Sequence, residues 1–222
     1  MSSNDLYQEL DFRLKCPFTM LVSGPSKSGK TTFVKKLLIK RNVIFNKQPG
    51  KVYWFYKVHQ DINDRMEQLG IVNEFVEGMC TMDWIKDNVT ENNCTVVIDD
   101  MALEATDDTA RLFSVGSHHF KINIIFLCQN LFTRNKHFRE ISLNSTYLIL
   151  FKNVRDKQQI TNFARQFAPG KTRQFAKLYY EVTKSPHSYM MLDYHQETRE
   201  EHRILSNFLN ENKDPIAFHI LK

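Results

Sequence analysis

The chain has 222 residues, a formal net charge of +5, 42% hydrophobic residues and 25% charged ones. That length suits one large α/β domain and is short for two. No apolar run reaches the ~18–20 residues of a membrane span, and Met1-Ser2-Ser3-Asn4-Asp5-Leu6 lacks the basic-then-apolar start of an export signal, so neither membrane insertion nor secretion is expected.

In chain order, residues 1–16 form an N-terminal arm, and Pro17 introduces a strand over 18–23. There follows Gly24-Pro25-Ser26-Lys27-Ser28-Gly29-Lys30-Thr31-Thr32, which fits Gly, four residues, Gly-Lys-Ser/Thr. An apolar run stops before it and an amphipathic helix, running to about Lys40, begins after it. Strand, glycine loop and helix are what phosphate cradling needs, because loop N–H groups and the positive helix end then face the anion. All nine residues are candidate ATP contacts, with Lys30 reaching the β- and γ-phosphates and the Thr31 hydroxyl ligating Mg²⁺. The segment 52–56 is β-branched and aromatic and predicts a buried strand. Residues 57–92 are polar and acidic, with a helix expected near 61–69 and a short strand over 74–77.

The run 95–98 is apolar and ends in Asp99-Asp100. An acid at the carboxyl end of a strand beside a glycine loop holds Mg²⁺ directly or through water, which assigns Asp99 as metal ligand and Asp100 as activator of the attacking water. A helix is expected near 107–119 and a strand over 122–128, ending at Gln129, a candidate sensor of the γ-phosphate. A strand over 146–151 leads directly to Arg155. Arg155, Arg134 and Arg139 are candidates for an arginine supplied to a neighbouring subunit, Arg155 being the one chosen. Helices over 156–167, stopped by Pro169-Gly170, and 172–182 precede a strand over 188–193. Residues from about 195 to 222 read as a less regular C-terminal tail. Buried strands alternating with helices predict one three-layer α/β domain around a mainly parallel sheet.

Cys16, Cys80, Cys94 and Cys128 have no paired spacing and read as reduced core thiols. His118-His119 lacks a partner at metal-ligand spacing. In Asn46-Lys47-Gln48-Pro49, proline stands where a guanine-reading Asp would be needed, so GTP specificity is unsupported. Charge is segregated: ten basic against three acidic residues in 1–51, three against thirteen in 52–108, and seventeen against nine in 109–222. Basic terminal segments suit a polyanionic partner.

Five segments in order resemble genome-packaging ATPases of the FtsK–HerA superfamily, of the poxvirus type also carried by Maverick/Polinton-like elements and large DNA viruses. They are residues 24–32, 95–100, 113–119, 124–132 and 141–156. The resemblance implies a P-loop fold of the ASCE, RecA-like kind, with an extra strand between the phosphate-loop strand and the Asp99 strand; residues 52–56 lie between them in the chain. It implies a Mg²⁺-dependent ATPase working as a homo-oligomeric ring that drives double-stranded DNA into a capsid. Capsid or portal components are then partners, and the location is the host cell interior or the virion. It assigns Lys30 and Thr31 to phosphate and Mg²⁺, Asp99 to the metal and Gln129 to the γ-phosphate. Two departures stand out. Many relatives carry Glu at the position of Asp100, and relatives often have a basic residue where this chain reads Gly116-Ser117-His118-His119. The alternatives are a nucleotide or nucleoside kinase, for which no lid insert is evident, and a non-catalytic, nucleotide-gated assembly protein.

Overall fold

The computed structural model describes residues 11–59, 61–210 and 215–220, without the side chains of residues 61 and 62. The amino-terminal ten residues, and the export-signal reading that falls on them, lie outside these. Nine strands form one sheet: β1 (Thr19–Ser23), β2 (Val52–Tyr56), β3 (Glu74–Glu77), β4 (Thr95–Asp99), β5 (Asn123–Cys128), β6 (Tyr147–Phe151), β7 (Tyr189–Asp193), β8 (Ile204–Ser206) and β9 (Ile216–Phe218). Their order across the sheet is β3-β2-β4-β5-β1-β6-β7-β8-β9. The first six are mutually parallel, and β7, β8 and β9 add antiparallel at the β6 edge.

The helices are α1 (Lys30–Ile39), α2 (Arg41–Ile44), α3 (Asp61–Gln68), α4 (Met82–Asn88), α5 (Asp107–Arg111), α6 (Ser117–Phe120), α7 (Lys136–Leu143), α8 (Lys157–Phe167) and α9 (Thr172–Val182). A π-helical stretch, Leu112–Gly116, joins α5 to α6, so 107–120 is one helical run. The central strands are buried along their whole length and mostly apolar because both faces are covered. Alternate residues feed two cores. Met20, Val22, Trp54, Val97, Ile125 and Leu127 pack with Phe33, Val34, Leu37 and Leu38 of α1. Leu21, Phe55, Ile98, Phe126 and Leu150 pack on the opposite face with Phe113, Phe138, Phe163, Phe175 and Tyr179. The result is the three-layer arrangement the strand–helix alternation predicts.

Two sequence expectations need correction. The extra strand implied between β1 and β4 is present in the sheet, but it is β5 and not Val52–Tyr56, which lies outside β4. Chain order misleads here because parallel strands joined by crossovers need not be spatial neighbours in sequence order. The C-terminal segment is also not irregular throughout, since β8 and β9 extend the sheet. Each has only three residues, too few to give a periodic signal. Helices α4 and α7 likewise appear where no helix was expected. Within the arm, the described part is anchored: Leu14 is buried and bridges to Phe45.

Candidate nucleotide site

Sheet register assembles the site. Ser23 of β1 lies beside Cys128 of β5, and Leu127 lies beside Asp99 of β4. Gly24, Asp100 and Gln129 therefore leave the sheet side by side at its carboxyl end. The Gly24 N–H donates to the Cys128 carbonyl at 3.1 Å and the Asp100 N–H to the Leu127 carbonyl at 3.0 Å, which fixes both exits.

The glycine loop is built tightly. A Cβ on Gly24 would sit 2.6 Å from Phe151 Cβ and 2.8 Å from Ser28 Oγ, so only glycine lets the loop pass β6. Gly29 has φ 110 and forms the N-terminal boundary of α1, where no side chain caps the helix. The first-turn N–H groups are thus left for a ligand. Lys30 is buried, and its Nζ donates to the carbonyls of Gly24 at 2.8 Å and Pro25 at 3.2 Å. Burial pulls its ammonium below the usual lysine value, while the carboxylates of Asp100 and Asp99 oppose that shift.

Asp99 shares a sheet face with Val97, the face covered by α1, so it points to the side where Lys30 begins the helix. Burial first, and then the charge of Asp100, push its carboxyl up to about 6; Lys30 and the nearby Trp54 indole act in the opposite sense. The Trp54 N–H falls short of hydrogen-bond geometry and has no partner. Asp100 is exposed, sits in the left-handed region at φ 56, and accepts a 2.6 Å hydrogen bond from Gln129 Nε2. The candidate water activator and the candidate sensor are thus directly joined.

Ser28 Oγ and Trp54 Nε1 are the two buried side-chain polar atoms without a partner among the described residues, and both belong to this site. Such groups are rare in folded proteins. An unpaired hydroxyl in the loop, a buried lysine, free helix-end N–H groups and a neighbouring carboxylate with the Thr31 hydroxyl form a donor set that fits a triphosphate and a divalent cation.

Gly29, Lys30, Asp99, Asp100 and Gln129 line a cleft of about 1200 Å³ together with Ser26, Lys27, Thr31 and Thr32. Its other wall is one that the sequence reading missed: His187, Tyr189, Asn207, Leu209 and Phe218. Antiparallel pairing explains it. β7 starts opposite Phe151 at the loop end, β8 returns to that end at Ser206, and β9 starts there. The available signal was Ser185-Pro186, a turn marker just before β7. Arg155, Arg134 and Arg139 are exposed and lie outside the cleft lining. Arg155 follows a turn held by Asn153, whose Oδ1 accepts the N–H groups of Arg155 and Asp156 at 3.1 and 3.0 Å. All four cysteines are buried and free. His118 and His119 are exposed on α6, and no cluster with three metal-ligating His, Cys, Asp or Glu occurs among the described residues.

No family model and no curated protein sequence matches the chain. Solved structures do. The genome packaging NTPase B204 of Sulfolobus turreted icosahedral virus 2, in complex with sulfate, is similar with a TM-score of 0.58 at 11% identity, over 91% of this chain and 98% of that one. B204 of Sulfolobus Turreted Icosahedral Virus, described as a DNA-packaging ATPase, gives 0.55 at 9% identity, over 83% and 96%. This chain has the fold of B204. The cytoplasmic domain of the Type VII secretion ATPase EccC of Thermomonospora curvata shares it too, with a TM-score of 0.52 at 13% identity over 80% of this chain and 24% of that one. These neighbours agree with the FtsK–HerA resemblance carried by the sequence segments.

Proposed function

We propose that this protein hydrolyses ATP to move double-stranded DNA, as the motor of a viral or virus-like packaging system acting inside the host cell. The observation that carries this reading is the meeting of Lys30, Asp99 and the bonded Asp100–Gln129 pair at one end of the sheet. Lys30 and the loop N–H groups hold the β- and γ-phosphates. Thr31 and Asp99 would hold Mg²⁺, which would supply positive charge to the phosphate oxygens. Asp100 accepts a proton from the attacking water. The Gln129 amide nitrogen has two hydrogens; one goes to Asp100, and the second is available to a γ-phosphate oxygen. Loss of that phosphate therefore alters the setting of Asp100 directly.

The pairing of an exposed acid with an amide favours water over an organic acceptor and argues against a kinase. The similarity of B204, solved in complex with AMP and with AMPPCP, supports the nucleotide reading. The DNA grip is expected to be sequence-independent, through basic groups on the backbone phosphates. Triplex displacement tests the motor directly. ATP-dependent release of a third strand from duplex DNA, lost in Lys30→Ala, supports translocation; hydrolysis without displacement at any DNA length contradicts it.

A further inference from the structure

The turn between α9 and β7 reaches the phosphate loop through His187, 159 residues further along the chain than Ser28. Its base is firm. The Tyr189 ring packs with its centroid 4.8 Å from Phe33 and 5.5 Å from Phe151. Its hydroxyl accepts the Leu209 N–H at 2.8 Å. The turn closes on itself, with the Ser188 N–H and hydroxyl donating to the Ser185 carbonyl at 3.2 and 2.6 Å. On this base His187 adopts φ 60, a left-handed conformation uncommon outside glycine and a marker of imposed geometry.

That conformation brings His187 Nδ1 to 3.0 Å from the Ser28 carbonyl oxygen. A carbonyl only accepts, so Nδ1 carries the hydrogen. The ring also lies against Gly29, where an added Cβ would be 3.2 Å from Nδ1. In a trans peptide the C=O and the following N–H point to opposite sides. Holding the Ser28 carbonyl toward His187 therefore turns the Gly29 N–H away from the ring, into the loop.

We propose that His187 is a positioning residue of the nucleotide site, pinning the Ser28–Gly29 peptide so that its N–H meets a phosphate oxygen of the bound nucleoside triphosphate. The inference rests on the reading of the loop as a triphosphate site. His187→Gly is the informative variant, because glycine relieves the left-handed backbone while removing the ring. ATP and inorganic tripolyphosphate are titrated by calorimetry against wild type, His187→Gly, His187→Asn and Lys30→Ala, with thermal melts in parallel. The expected result is about fivefold weaker binding of both ligands by His187→Gly, the scale of one neutral hydrogen bond, with Tm unchanged or raised. Asn tolerates the left-handed region and retains a donor, and partial recovery in His187→Asn is expected. Wild-type affinity for both ligands in His187→Gly, where Lys30→Ala has lost binding, overturns the inference and leaves the phosphate-loop reading standing. A wild type that binds neither ligand overturns both.

Discussion

Asp99 illustrates how a candidate metal ligand works against the fold that carries it. Its carboxyl is raised to about 6, from an ordinary 3.8. The folded protein therefore binds this proton more tightly than the unfolded chain, and stability falls as pH rises between those values. Asp99→Asn is expected to raise Tm at pH 7, by roughly 1–3 kcal/mol in stability, with the gain shrinking as pH falls toward 4. The same variant is expected to lose ATP hydrolysis; thermal melts at two pH values and a phosphate-release assay check both parts. Asp100 carries a different burden, since it is exposed and joined to Gln129. Asp100→Ala is expected to lower kcat by about 10²–10⁴-fold, the range for a general base, with little change in the KM for ATP. A kcat within twofold of wild type removes Asp100 from the role of water activator and favours a nucleotide-gated assembly protein.

At the scale of elements, α9 fastens the end of β6 to the turn that follows. The Tyr179 hydroxyl donates to the Phe151 carbonyl at 2.7 Å and accepts the Asn153 N–H at 2.9 Å, in a fully buried setting. Tyr179→Phe keeps the ring and leaves both backbone groups unpaired. The expected cost is about 1–3 kcal/mol, read as a fall in Tm; an unchanged Tm contradicts this account of the junction. Such long-range fastenings explain what was legible in the sequence. Strands β1, β2, β4, β5 and β6 were readable because both of their faces are buried and their runs are continuously apolar. Helix α9, with Phe175 and Tyr179 on its buried face, matched its expected bounds of 172–182. Helix α4 buries only Ile85, so its periodic signal was faint; α7 buries Phe138 and Ile141 but has only eight residues, a short window for a periodic signal. The phosphate loop, Asp99-Asp100 and Gln129 were readable because each sits at the end of an apolar run. His187 and the β8–β9 wall were not, because their place at the site comes from strand pairing across the β6 edge; Ser185-Pro186 marks a turn but not what the turn packs against.

At the scale of the molecule, sheet order turns charge along the chain into charge across the structure. The acidic segment 52–108 supplies β3, β2 and β4 at one edge, whereas the basic terminal segments supply β5, β1 and β6 through β9. Opposed edges of unlike charge suit head-to-tail contact, which closes into a ring when the rotation allows. Arg155 is exposed and outside the cleft of its own chain, which leaves it open to a neighbour's site in the ring we propose. Mixing Lys30→Ala with Arg155→Ala subunits is then expected to restore hydrolysis that neither variant has alone, because mixed interfaces pair an intact loop with an intact arginine. Full activity of Arg155→Ala by itself removes that residue from the site. The central claim, a nucleotide site geared to DNA, is tested most directly by the rate of ATP hydrolysis across a titration of double-stranded DNA at low salt. A rate that climbs with DNA, falls back as salt is raised and vanishes in Lys30→Ala is the predicted result; Lys30-dependent hydrolysis that stays flat across the whole DNA titration would contradict it.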